Sequence, residues 1–229
     1  MLNGKRILIA AGGTGGHINP ALAVAGYIRE NCPDAQIVFV GTKDKMEAKL
    51  VPAAGFNIKF IDIQGFYRSF KWEDIKHNIV TLCKLLRASF QAKKIIKEFK
   101  PDLVIGFGGY VSGPVLRMAA KMGIPTAVHE QNAFPGVTNK ALAGKVDRVM
   151  LTNGKAEQYM KPKNPCVITG LPVRGDILRT DKEKAIADLD LGGKPLILSM
   201  GGSLGAKPIN DANTAALILE KIFFILSTS

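Results

Sequence analysis

Short runs of apolar and β-branched residues recur along the chain at Ile7–Ala10, Ile37–Val40, Ile58–Ile63, Leu103–Ile105, Thr126–Val128, Val146–Leu151, Val167–Thr169 and Leu196–Ser199. Most of them read as buried strands. Segments of helical period lie between several of these runs. Ala21, Val24, Ala25 and Ile28 form one such stripe, for which Asn19 is the expected N-cap and Pro20 the first helical residue. The alternation predicts an α/β fold: a parallel sheet covered by helices on both faces, with ligands beyond the carboxyl ends of the strands. A longer helix is expected over Trp72–Phe99. At about 100° per residue, Ile75, Ile79, Leu82, Cys83, Leu85, Leu86, Phe90 and Ile96 share one arc, most of it expected to be core, with Lys76, Lys84, Arg87 and Lys94 beside it.

The pattern also contains an internal echo. Ile7–Ala11 leads into Gly12-Gly13-Thr14-Gly15-Gly16, and Leu196–Met200 leads into Gly201-Gly202-Ser203-Leu204-Gly205-Ala206. The separation is too long for a solenoid repeat and suits two similar α/β domains in tandem. The polar, helix-breaking stretch Lys161-Pro162-Lys163-Asn164-Pro165 marks the expected boundary, giving domains over 1–165 and 166–229. A chain of 229 residues accommodates one full domain and part of another. The second domain is therefore expected to be incomplete, with Ile218, Ile222, Phe223, Phe224 and Ile225 seeking partners and the last helix self-associating.

Composition narrows the function classes. Apolar residues make up 47% and charged residues 22%, as in a packed protein. Lys and Arg number 31 against 19 Asp and Glu, a net charge of +12 that favours phosphorylated substrates or anionic surfaces. Nucleic acid is not expected as a partner, because no basic motif is interleaved with stacking aromatics. Cys32, Cys83 and Cys166 lack metal-ligand spacing, so no metal is expected. The apolar stretch after Met1–Arg6 is too short for a signal peptide, and no run approaches the roughly 18 apolar residues of a membrane span. Phe66, Tyr67, Phe70 and Trp72 beside Arg68 and Lys71 instead suggest peripheral contact with anionic lipid.

The candidate chemistry lies in the loops. Gly12-Gly13-Thr14-Gly15-Gly16-His17 joins a strand to a helix start, where close backbone approach and a positive dipole end suit a phosphate or diphosphate. It lacks the last glycine of the dinucleotide fingerprint and the Gly-Lys-Ser/Thr of a P-loop. His17 at its mouth is a base, a phosphate contact or a helix cap. Gly106-Phe107-Gly108-Gly109-Tyr110-Val111-Ser112-Gly113-Pro114 is either a second phosphate cradle or a bend that packs Tyr110, with a helix expected from near Pro114. His129-Glu130-Gln131-Asn132 supplies substrate contacts or forms a satisfied loop network.

Together with Thr138-Asn139-Lys140 and Pro172-Val173-Arg174, these motifs resemble the MurG family of peptidoglycan N-acetylglucosaminyltransferases from Arg6 to about Asn210. The resemblance implies a GT-B fold: a complete N-terminal Rossmann-like domain, and the start of a second one that binds UDP-GlcNAc. It implies inverting transfer of N-acetylglucosamine from UDP-GlcNAc to undecaprenyl-diphosphoryl-muramoyl-pentapeptide, without a cofactor, at the cytoplasmic face of a bacterial membrane. Donor contacts then map onto Thr14, Gly15, Gly16, Asn132, Arg174 and Ser203. His17 maps onto the base that deprotonates the muramoyl 4-hydroxyl, and Gly108, Gly109 and Tyr110 onto the acceptor-diphosphate loop. Leu171 and Leu204 replace a polar asparagine and glutamine of the family pattern, and its later glutamate and paired glutamines have no counterpart before Ser229. The expectation is a chain that alone neither transfers sugar nor binds UDP-GlcNAc well. The alternative is a non-catalytic peripheral-membrane or lipid-diphosphate-binding module.

Overall fold

The computed structural model describes residues 2–65, 72–190, 192, 196, 198, 199, 201 and 206–218, with 72–80 and 216–218 described by backbone alone. Two compact units are present, Met1–Leu178 and Arg179–Ser229.

The first unit alternates strand and helix: β1 (Arg6–Ala10), α1 (Gly15–Asn31), β2 (Gln36–Gly41), α2 (Glu47–Ala53), β3 (Asn57–Phe60), α3 (Trp72–Phe99), β4 (Leu103–Gly106), α4 (Gly109–Lys121), β5 (Thr126–Glu130), α5 (Val137–Ala143), β6 (Arg148–Leu151), a 3₁₀ turn (Gly154–Tyr159), β7 (Val167–Ile168) and α6 (Gly175–Leu178). The strands form one sheet in the order β3-β2-β1-β4-β5-β6-β7. All six pairings are parallel. Parallel strands covered on both faces must be apolar on both, which is why β1 reads as a continuous run. Ile7 and Ile9 face a core with Ile18, Ala21, Ala25 and Ile28 of α1, while Leu8 and Ala10 face the opposite core with α3, α4 and α5.

The compact unit extends to Leu178 rather than closing at 165. The Val167–Thr169 run, assigned by pattern to a second domain, forms β7, whose Val167 and Ile168 pair with Met150 and Leu151 of β6. The Lys161–Pro165 stretch is thus a connection inside the first sheet. In the second unit, α7 (Lys182–Asp188) starts at Asp181, whose carboxylate caps the N–H groups of Glu183 and Lys184, and α8 spans Lys207–Ile218. Leu196, Leu198 and Ser199 are not in a strand, contrary to the expectation for that run. Residues 219–229, invoked above for self-association, lie outside the described residues.

The face of α3 also departs from expectation. Leu82, Leu86 and Phe90 are 54%, 60% and 73% exposed, and Cys83 is exposed too, whereas Ala88, Ala92, Ile95 and Ile96 are buried. The small side chains Ala88 and Ala92 turn inward where α3 packs against α4, so Leu82, Cys83, Leu86 and Phe90 of the arc face outward, while Leu85 is half-buried and Ile96 belongs to the core. Accordingly, Leu86→Ser and Phe90→Ser should each change unfolding free energy by no more than about 0.5 kcal/mol. Ala88→Leu should cost about 1–3 kcal/mol by overpacking. Urea titration of the three variants checks this, and a large loss in Phe90→Ser would restore the pattern-based assignment.

Candidate functional site

Strand order reverses direction at β1, which has β2 on one side and β4 on the other. At such a switch point the loops following the two central strands diverge and leave a crevice at the carboxyl edge. Here those are the two glycine loops. They are laced together: Phe107 donates its N–H to the Ala10 carbonyl (2.9 Å), and the Ser112 hydroxyl lies 2.9 Å from the Ala10 oxygen and 2.7 Å from the Gly108 oxygen. The same hydroxyl accepts the Gly108 N–H at 3.1 Å.

Both following helices begin earlier than their prolines suggest. Helix α1 begins at Gly15 with Thr14 as N-cap, and α4 at Gly109 with Gly108 as N-cap, so Pro20 and Pro114 fall inside the helices. The loop glycines supply the first turns; in α1 the His17 and Ile18 N–H groups bond the Thr14 carbonyl, and the N–H groups of Gly15 and Gly16 lie ahead of that ladder. Gly108, at φ 94°, adopts a conformation that L side chains resist, and a Cβ there would lie 2.8 Å from His17 Cδ2 and 2.9 Å from Nε2. The imidazole edge is thus seated directly on the second loop.

His17 has a defined tautomer. Its Nδ1 lies 3.2 Å from the Gly12 carbonyl oxygen and 3.2 Å from Thr14 Oγ1. A carbonyl only accepts, so Nδ1 carries the hydrogen and Nε2 presents a lone pair when the ring is neutral. Burial pushes the His17 pKa below its ordinary 6.5, against the opposing pull of the Gly12 carbonyl and of the carboxylates Glu130 and Glu47. Burial, which position in the sequence does not reveal, is the leading cause of the shift.

The polar cluster after β5 is chiefly a network. Glu130 is buried, its Oε1 accepting from the Asn132 N–H and Nδ2 and its Oε2 from the Gly136 N–H and Asn139 Nδ2. His129 is buried with both ring nitrogens engaged: Nε2 donates to the Gly170 carbonyl at 3.0 Å, and Nδ1 accepts from Gln131 Nε2 at 3.2 Å. Asn139 Oδ1 and Gln131 Oε1 are buried without a protein partner.

Thr14, Gly15, Gly16 and His17 stand together with Gly108 and Gly109, where a Cβ on Gly109 would collide with the Gly12 carbonyl oxygen. Tyr110 is 51% exposed, so it is not packed into the core. With Gly12, Gly13, Asp44, Lys45, Asp62 and Lys84 it helps line a cavity of about 380 Å³ on the β2–β3 side of the loops. Asn132 is anchored to Glu130 as described. Arg174 is exposed and pairs with Asp176 (Nε to Oδ1, 3.5 Å) in the segment that follows β7, within the first compact unit. Ser203 lies outside the described residues, as do 66–71, so the aromatic patch proposed there is not described. Among the described residues, no three His, Cys, Asp or Glu side chains are grouped to hold a metal ion. Glu47 and Ser112, both fully buried, organise the loops; Ser112 lies in the second glycine motif without a role assigned by pattern, and Glu47 lies outside every motif. The only sequence signal for Glu47 is an acid at the start of a short helix.

Fold and site thus define a Rossmann-like domain whose two glycine loops meet at the switch point beside a neutral histidine. A sequence model of the glycosyltransferase family 28 N-terminal domain matches residues 7–151. The chain belongs to glycosyltransferase family 28. It is 48% identical over 219 residues to the Ruminiclostridium cellulolyticum UDP-N-acetylglucosamine--N-acetylmuramyl-(pentapeptide) pyrophosphoryl-undecaprenol N-acetylglucosamine transferase, a match covering 95% of this chain and 58% of that protein. The Bacteroides fragilis enzyme of the same name is 44% identical, covering 93% and 56%. The crystal structure of Acinetobacter baumannii MurG aligns with a TM-score of 0.68 at 34% identity, over 93% of this chain and 57% of that one. The chain therefore spans rather more than half the length of the relatives it matches.

Two histidines with lowered pKa, His129 buried and His17 half-buried, set a pH dependence. The pKa of His129 is lowered by burial, against the Gly170 hydrogen bond and the Glu130 charge. Below the unfolded value of about 6.5 the unfolded chain binds protons that folded His17 and His129 do not, so stability falls as pH drops through 6.5 toward the folded pKa values and is fully present above it. Thermal melts from pH 7.5 to 5.0 should show this loss. The double variant His17→Gln, His129→Gln should show a shallower one, and an unchanged slope would mean that carboxylates account for it.

Proposed function

We propose that this chain carries the acceptor-side domain of an inverting N-acetylglucosaminyltransferase of peptidoglycan synthesis, moving N-acetylglucosamine from UDP-GlcNAc to undecaprenyl-diphosphoryl-muramoyl-pentapeptide. The observation that carries this reading is the His17 ring, neutral, with Nδ1–H tied to Gly12 and Nε2 directed to the Gly108 loop. In the proposed step Nε2 takes the proton of the muramoyl 4-hydroxyl as its oxygen bonds to the anomeric carbon of the donor. The bond from that carbon to the UDP oxygen breaks, and UDP leaves with the electron pair. Gly108, Gly109 and Tyr110 hold the acceptor diphosphate, aided by the positive end of α4 and by Lys45 and Lys84 of the neighbouring cavity. Thr14, Gly15, Gly16, Asn132 and Arg174 are the proposed donor contacts of the first unit, and Ser203 is one proposed from the family pattern alone. The donor domain begins with the second unit, after Leu178. The names of the relatives support this choice of substrates.

A peripheral position on anionic membrane has its own support. The outward stripe of Leu82, Leu86 and Phe90 is bordered by exposed Arg87, Lys93, Lys94 and Lys97, a pairing of apolar and cationic groups suited to a headgroup boundary. Among the described residues no helix is long and apolar enough to cross a membrane. The same stripe favours the second reading, a lipid-diphosphate-binding module without turnover.

Turnover decides between them. Residues 1–178 fused to the remaining part of the Ruminiclostridium relative should transfer radiolabelled N-acetylglucosamine to a soluble acceptor analogue. His17→Ala in that fusion should keep its circular dichroism and lose turnover by about 10² or more. Activity within a factor of three would remove His17 as the base. For the membrane, sedimentation of the 229-residue chain should be stronger with phosphatidylglycerol vesicles than with phosphatidylcholine and weaken with salt. Phe90→Ser with Leu86→Ser should abolish it, and equal binding to neutral vesicles would refute the surface.

A further inference from the structure

The first glycine loop rests on a buried carboxylate. Glu47, the first residue of α2, is fully buried. Its Oε2 accepts the Gly13 N–H at 3.0 Å, and its Oε1 accepts the Thr42 N–H at 2.9 Å and the Thr42 hydroxyl at 2.7 Å. One carboxylate thus joins the end of β2 to the loop after β1, with no cation among these partners. A charge out of water without an ion partner is costly, and hydrogen bonds of this charge-assisted kind are what offset it. The seat is tight as well: a Cβ on Gly12 would stand 2.6 Å from Glu47 Oε1. Gly12 is therefore glycine because Glu47 occupies the space beneath it.

This has a chemical consequence one bond further on. The Gly12 carbonyl, adjacent to the N–H that Glu47 holds, is the group that receives His17 Nδ1–H. Fixing the Gly12–Gly13 peptide fixes the direction of that carbonyl, and the carbonyl selects the ring tautomer. The Gly13 N–H is spent on the carboxylate and the His17 N–H on the Thr14 carbonyl, leaving the N–H groups of Gly15 and Gly16 as the loop's donors toward an anion.

We propose that Glu47 is a positioning residue for His17: by clamping the Gly12–Gly13 peptide to the end of β2, it holds the imidazole in the Nδ1–H tautomer with Nε2 as acceptor. This rests on His17 being the base, yet its test is independent of turnover.

The test is histidine-ring ¹⁵N spectroscopy and amide hydrogen exchange on the 229-residue chain at a pH where His17 is neutral. In the wild type the His17 ring should be the Nδ1–H tautomer, and the Gly13 amide should be protected although it lies in a surface loop. In Glu47→Ala, water can enter beneath the loop. The Gly13 amide should then exchange at least about tenfold faster, and the His17 ring should become a mixture of tautomers. Thr42→Val removes only the hydroxyl bond on the β2 side; it should lower the melting temperature while leaving the His17 ring signals unchanged. A Glu47→Ala chain that melts lower but keeps a pure Nδ1–H ring would show that Glu47 only stabilises the fold, overturning the proposal. Should Glu47→Ala not fold, the wild type still decides: an Nε2–H ring, or a Gly13 amide exchanging like an unstructured peptide, overturns it. Failure of the turnover test with success here would leave Glu47 holding a histidine that is not the base.

Discussion

The carboxyl end of β1 is the constraint on which the rest of the site depends. Because β1 pairs in parallel with β2 on one edge and β4 on the other, the chain must leave it beside the exits of both neighbours. The Ala10 carbonyl receives the Phe107 N–H, and the Ser112 hydroxyl stands within hydrogen-bonding distance of it. Two residues later the Gly12 carbonyl takes the His17 ring hydrogen. Everything placed at the crevice is thus referred to about three peptide units of backbone, themselves held by a buried strand.

Around that point two buried glutamates act in the same way. Glu47 gathers N–H groups from the loops after β1 and β2, and Glu130 gathers them from the loop after β5. Both carboxylates favour the protonated form of His17, while its burial favours the neutral one more strongly. A proton acceptor at neutral pH follows from this balance. The loop donors left for a ligand lie chiefly at the first turns of α1 and α4, the helix ends that favour an anion.

Much of the fold was legible because parallel strands covered on both sides must be uniformly apolar, and seven of the predicted runs became the seven strands in order. Boundaries were less so. Asn19 and Pro20 mark a helix start by composition, but α1 begins at Gly15, since Thr14 in extended conformation already serves as the cap. The arc on α3 is split by the fold: Ile96 joins the core and Leu85 is half-buried, but Leu82, Cys83, Leu86 and Phe90 face outward, because pattern shows which residues lie together whereas the alanines facing α4 decide which face is covered. The glycine loops and His17 could be found from spacing. Glu47 could not, because its role is set by contacts with Gly13 and Thr42 made through folding. The β7 pairing was likewise hidden: Val167–Thr169 reads as a strand, but the polar stretch Lys161–Pro165 before it suggests a domain boundary, and only the contacts with Met150 and Leu151 show which sheet it joins.

The central claim is that the acceptor side of the reaction resides in the crevice between the two glycine loops. Its most direct test is binding of a soluble muramoyl-diphosphate analogue to the 229-residue chain, followed by the amide and histidine-ring signals of His17, Gly108 and Gly109. The account predicts saturable binding of the analogue that perturbs these signals, with UDP-GlcNAc alone leaving them nearly unmoved. Strong perturbation of the same signals by UDP-GlcNAc, with none from the acceptor analogue, would contradict it.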